Sequence, residues 1–182
     1  TAYYAEILRA EGLNAFATAD LGTVTAGTLA NYDVVLLGEM ALTTDQVSMF
    51  TTWVTNGGNL IAFRPDKQLA ALLGLTDAGT TLANTYLLID TTQRPGAGLV
   101  DQSIQFHGTA DRYTLNGATS VATLYSNATT ATPNPAVTLR SVGSNGGQAA
   151  SFTYDLARSI VYTRQGNPAW AGQERDGQTP IR

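Results

Sequence analysis

A small set of polar residues has the types and settings that chemistry needs. Glu39 follows the apolar run VVLL, Arg64 and Asp66 follow NLIAF, and Asp155 follows AASFTY, so each stands just past a segment that reads as a strand. If those strands are parallel, their carboxyl ends share one edge of the sheet, where ligands of open α/β sheets gather. An arginine set among carboxylates there, with Arg158 close by, could hold the hydroxyls of a sugar or a small acid. The same residues also have a purely structural reading, in which Asp66 and Asp155 cap the helices that follow and Arg64 pairs with Glu39. A second group lies in FHGTADRY, where His107, Asp111 and Arg112 could form a polar ligand site. One histidine and one aspartate without motif spacing are poor metal donors, so no metal is expected. The simpler alternative is a turn held by Asp111, with Tyr113 entering the next strand. Two carboxylates at a defined separation could also act as a glycosidase acid and base, but no separation is legible in a sequence.

Composition removes several classes of function. The chain has 182 residues and no cysteine, which excludes a thiol nucleophile, thiolate metal sites and disulfides. The net charge is −4, Lys67 is the only lysine and the arginines are scattered, so no basic patch invites nucleic acid. No apolar run approaches a membrane-spanning helix, and no membrane insertion is expected. SNGGQ (144–148) is glycine-rich but lacks both the phosphate-loop lysine and the dinucleotide fingerprint. It reads as a tight turn between strands, and no cofactor is implied. A hydrophobic fraction of 43% with only 13% charged residues fits one globular domain whose surface polarity comes from Thr, Asn, Ser and Gly. That surface is compatible with an exported, extracellular or cell-surface bacterial protein.

Positioning those residues requires strands that alternate with helices. TAYYAEILRAEG reads as an amphipathic helix stopped by Gly12, followed by a short strand over 13–17 and a short helix in TAGTLANY. DVVLLG is apolar without alternation, as in a strand covered on both faces of a parallel sheet. Thr43 and Gln46 form a capping box for a helix whose apolar stripe is Val47, Phe50 and Val54. After Gly57 and Gly58 comes the buried strand NLIAF, then a helix capped by Asp66, carrying Leu69, Leu72 and Leu73, and closed by Gly74. Beyond residue 80 the segments NTYLLID, QSIQFHG, TSVATLYS, PAVTLRSV and GGQAASFTYD read as further strands, some antiparallel, before the helix LARSIVYTRQG. The expected architecture is α/β: an open, mostly parallel, flavodoxin-like sheet flanked by helices, with extra strands in the second half. One domain over 1–166 is expected, its first strand missing or supplied by another segment, and then an irregular tail over 167–182 in which Trp170 is the candidate anchor on a neighbour.

NYDVVLLGEMALTTDQVSMFTTWVTNGGNLIAFRPD, with PAVTLRSVGSNGGQAASFTYDL later, resembles the class I glutamine amidotransferase-like superfamily, particularly its trehalose-utilisation and β-galactosidase-associated members. The resemblance covers about residues 1 to 165. It implies a cysteine on a glycine-flanked elbow after a strand, with a histidine and a glutamate from late in the chain. Here the corner is Phe63-Arg64-Pro65-Asp66, with no thiol or hydroxyl, and the sole histidine is His107. The region from IQFHGTADRYTLNGA to RQGNPAWAGQERDG also resembles the N-terminal part of large uncharacterised secreted bacterial proteins. Together these imply a non-catalytic accessory domain of a larger secreted bacterial protein, structural or ligand-binding and carbohydrate-associated, whose partners are other domains of one polypeptide or a companion chain. The competing expectation is a hydrolase acting on carbohydrate or amide substrates through Glu39, Arg64 and Asp66.

Overall fold

Local chemistry sets where the elements begin and end, and it does so at several predicted places. In the computed structural model, which describes residues 2–166, helix α1 (Ala2–Ala10) stops before Gly12, and α2 (Ala26–Leu29) starts at Thr25 with a reciprocal cap from Thr28. After strand β1 (Val34–Leu37), helix α3 (Thr44–Thr55) opens with the predicted capping box: Thr43 Oγ accepts from the Gln46 amide, and Gln46 Oε1 accepts from the Thr43 amide at 2.9 Å. Strand β2 (Asn59–Phe63) follows, then a 3-10 turn over Lys67–Leu69 capped by Asp66, which runs into α4 (Ala70–Leu73). Gly74 ends α4 in the left-handed region, at φ 67°. A Cβ there would stand 2.7 Å from the Ala118 amide nitrogen, so both conformation and space demand glycine.

Residues 75–152 are mostly strand: β3 (Leu75–Ala83), β4 (Tyr86–Ile89), β5 (Ile104–Gln105), β6 (Thr109–Leu115), β7 (Thr119–Tyr125), β8 (Ala131–Val142) and β9 (Gly147–Phe152), before α5 (Leu156–Gln165). One sheet has the order β1-β2-β9-β8-β7-β4-β5, and β3 pairs with β6 in a second, two-stranded sheet. The protein is a mixed α/β fold, but the larger sheet is not mostly parallel as expected. Only β1–β2 and β2–β9 are parallel; the other four pairings are antiparallel. The reason lies in the connections. Parallel neighbours need a crossover, which α3 provides between β1 and β2, whereas the short loops between β7, β8 and β9 permit only antiparallel return. The turn between β8 and β9 spans residues 143–146, so the SNGGQ stretch forms most of it, as read from sequence, and its last two residues begin β9.

Three further expectations change. Residues 13–17 pair with no strand, and Leu13 lies 58% exposed. DVVLLG stands at the sheet edge instead of its middle: Leu37 is buried, but Val34 and Leu36, on the opposite face, are 48% and 41% exposed. FHGTADRY is not a turn leading into a strand, because Asp111 sits in the middle of β6. Trp170 and the expected tail lie outside the described residues.

Two apolar clusters hold the fold. One joins α3 (Phe50, Val54) to Leu60 of β2 and to Leu69, Leu72 and Leu73, with Tyr113 of β6 closing it. The other sits under β4 and β7 with Phe106 and Tyr154. Each fully buried side chain of this size contributes roughly 1.5–3 kcal/mol relative to exposure. Gly58 has a packing role here, because a Cβ would stand 2.3 Å from the Trp53 ring.

Candidate functional site

The carboxyl ends of β1, β2 and β9 lie side by side, so Glu39, Arg64 and Asp155 leave the sheet at one edge. The corner after β2 is its centre. Arg64 adopts φ 41°, a left-handed conformation that side-chain-bearing residues rarely take, and its amide donates to the Phe152 carbonyl at 2.7 Å. That anchor to β9 fixes the turn and directs the guanidinium along the edge. β6 runs antiparallel to the segment just past β9, where Ala110 bridges to Tyr154 and the Asp111 amide donates to the Thr153 carbonyl at 2.9 Å. The strand alternation that buries Asp111 and Tyr113 therefore points both at the corner.

The guanidinium is shared between two carboxylates. Nε donates to Asp111 Oδ2 at 3.0 Å, Nη2 donates to Asp111 Oδ1 at 3.4 Å, and Nη1 donates to Glu39 Oε1 at 2.7 Å. The Asp111 side chain is 11% exposed and that of Glu39 is 52% exposed, so the first pair is the sheltered one. The Tyr113 hydroxyl donates to the Pro65 carbonyl at 3.4 Å. Burial pushes that phenol well above its ordinary value, with the Asp111, Asp77 and Asp66 carboxylates adding to the effect, so it stays protonated. A neutral tyrosine, a paired arginine and two ion-paired carboxylates contain no activated nucleophile. The corner has the strained geometry that suits one, but it carries Arg64.

Asp66 turns away from this cluster to tie loops together. Its Oδ1 accepts from the Gln68 amide at 2.9 Å and its Oδ2 accepts from the Leu42 amide at 2.8 Å, while Gln68 Nε2 donates to the Leu42 carbonyl. Burial works to raise the Asp66 carboxyl, but these hydrogen bonds outweigh it and hold the group below its ordinary value. Asp155 caps α5 by accepting from the Arg158 amide at 2.9 Å and lies 3.5 Å from the Arg158 guanidinium. Both capping roles and the Arg64–Glu39 pair are those of the structural reading.

The second predicted group does not converge. His107 is 5% exposed; its amide donates to Ser159 Oγ and its ring meets Tyr162 edge-on at 5.4 Å. Burial pushes the imidazole below its usual value, which keeps it neutral near pH 7. Arg112 points to the other face of β6, where Nε donates to Asn134 Oδ1 at 2.7 Å. Only Asp111 of the three joins the corner, across 47 residues of sequence. The alternation in TADRY would have put Asp111 and Tyr113 on one face, but no local signal names Arg64 as their partner. Among the described residues no group of three or more His, Asp or Glu is placed to hold a metal.

No family model matches the chain. No curated protein matches it in sequence either. Solved structures do match in fold. An exo-β-1,4-mannosidase from Opitutaceae bacterium strain TAV5 superposes with a TM-score of 0.54 at 18% identity, over 78% of this chain and 24% of the mannosidase. A β-galactosidase from Bacillus circulans sp. alkalophilus gives 0.53 at 14% identity, over 75% of this chain and 23% of that enzyme. The mmIFT52 N-terminal domain gives 0.61 at 12% identity, over 87% of this chain and 80% of that domain. The chain thus spans less than a quarter of the length of these glycosidases, and likeness at such identities concerns fold alone. These neighbours are glycosidases and the mmIFT52 domain, and no family model supports a glutamine amidotransferase. With the mostly antiparallel sheet, they overturn both the amidotransferase-like and the flavodoxin-like expectations. Neither the fold nor these likenesses bears on secretion.

Proposed function

We propose that this chain is a non-catalytic accessory domain of a larger polypeptide, structural or ligand-binding, with a carbohydrate-related role. The observation that carries the reading is the state of the corner after β2: where a nucleophile would stand, Arg64 donates to Asp111 and Glu39. An arginine so engaged orders the meeting of β1, β2 and β6 and has no proton to exchange near neutral pH. The partial coverage of two glycosidases is consistent with a domain that accompanies carbohydrate-active parts, and it is analogy only. The partners proposed are other domains of the same polypeptide or a companion chain. The hydrolase reading through Glu39, Arg64 and Asp66 is less well supported, because Glu39 is ion-paired and Asp66 accepts two backbone amides. The test is the mass of the native polypeptide from its source. A chain much heavier than 19.1 kDa is expected, and a native mass of 19.1 kDa overturns the accessory reading.

A further inference from the structure

Away from the residues of the Arg64 cluster, a cavity of about 380 Å³ opens between the loop after β4, the start of β7 and the end of β8. Its volume falls in the lower part of the ~300–1,000 Å³ range of small-molecule sites. Two arginines, Arg94 and Arg140, line it together with Asp90, Gln93, Thr119 and Ser141.

Each wall is fixed from within. Arg140 Nη1 donates to the carbonyls of Ala71 and Leu72 in α4, which locks the guanidinium plane. In the loop, Asp90 Oδ1 accepts from the Thr92 amide at 2.9 Å and from the Thr92 hydroxyl at 2.6 Å. The Ala97 amide donates to the Gln93 carbonyl at 2.9 Å, and Gly96 is packed so closely that a Cβ would stand 2.0 Å from the Asp90 carbonyl oxygen. Gln93 and Arg94 are thus carried on a folded turn.

The charges do not balance. Among the described residues Arg94 has no hydrogen bond or ion pair, and Nε and Nη2 of Arg140 have none. Asp90 is the one carboxylate on the wall. Two guanidinium groups against one carboxylate leave the cavity positive in a chain of net charge −4. Guanidinium forks suit the oxygens of a carboxylate, while the Gln93 amide and the Thr119 and Ser141 hydroxyls suit neighbouring hydroxyls.

We propose that this cavity binds a small carboxylate-bearing sugar, a uronate, with its carboxylate on Arg94 and Arg140 and its ring hydroxyls on Gln93, Thr119 and Ser141. The inference goes beyond the accessory reading and does not depend on Arg64. The test is amide chemical-shift mapping of the 182-residue chain during titration with glucuronate, galacturonate, glucose and inorganic phosphate. Saturable shifts with a uronate are expected in the loop after β4 and at the facing ends of β7 and β8. Glucose should bind at least about tenfold more weakly, as should glucuronate to Arg94→Gln, through loss of charge-assisted hydrogen bonds. Arg94 makes no internal bond, so unchanged shifts elsewhere will certify the variant's fold. No saturable uronate shift at these amides, phosphate binding as tightly as the uronates, or an unchanged affinity in Arg94→Gln overturns the proposal.

Discussion

Replacing Arg64 with alanine should destabilise the domain by about 3 kcal/mol, and the value follows from what each partner is left with. Losing the contact to Glu39, half exposed, costs no more than about 1 kcal/mol. Asp111 is different, because its side chain is 11% exposed and would keep its charge without its cation. Breaking a fully buried pair costs about 3–5 kcal/mol, and the quarter exposure of Arg64 lowers this to roughly 2–3 kcal/mol. Asp111→Ala should cost less, about 1–2 kcal/mol, since Arg64 would keep Glu39 and gain water. The double variant should then cost less than the sum, with a coupling of about 1–2 kcal/mol. The backbone offers a separate check. At φ 41° a Cβ is strained, so Arg64→Gly should be about 1 kcal/mol more stable than Arg64→Ala although both lose the same ion pairs. Urea unfolding followed by tryptophan fluorescence, with m-values compared, measures all four. Additive single variants, a cost below about 0.5 kcal/mol for Arg64→Ala, or equal stability of the Gly and Ala variants would refute this account of the corner.

Other predictions concern single groups. Asp66→Ala should cost about 1 kcal/mol through the lost cap, read by the same urea titration. The Asp66 carboxyl is held below its ordinary value in the folded state, so its stabilisation is complete above the unfolded value of about 4 and is lost as pH falls through the lower folded value. Asp66→Asn should therefore flatten the acid limb of the stability curve below about pH 4. His107 is also depressed when folded, so its neutral form favours the native state above about pH 6.5 and that contribution declines as pH falls below it. His107→Gln should remove this slope in thermal denaturation between about pH 5 and 7. Gly58→Ala should destabilise by about 1–3 kcal/mol, because its Cβ would press 2.3 Å from the Trp53 ring.

What the sequence disclosed was local chemistry. The Thr43–Gln46 box, the Asp66 and Asp155 caps and the Gly74 stop were all legible because each involves residues within four positions of one another. So was the meeting of Glu39 and Arg64, since DVVLLG and NLIAF are parallel neighbours joined by one helix. Sheet order was not legible: whether a late strand returns beside its predecessor or crosses over depends on pairings such as β2 with β9, far apart in sequence. The apolar run of β1 suggested cover on both faces, yet the strand lies at an edge with Val34 and Leu36 exposed. Asp111 was misplaced for a related reason. An aspartate beside a glycine-containing stretch looks like turn chemistry, and only its alternation with Tyr113, together with the antiparallel bridge from β6 to the segment past β9, makes it the partner of Arg64. The two arginines of the second cavity come from a loop and from β8, with no motif to join them.

The proposed role of the corner after β2, an ion-pair junction in a non-catalytic domain, can be tested directly. The direct measurement is hydrolysis of chromogenic glycosides and amides by the wild-type chain and by Glu39→Gln, with circular dichroism to confirm that both are folded. Background rates for both are predicted. Turnover by the wild type that disappears in a folded Glu39→Gln variant would contradict that role.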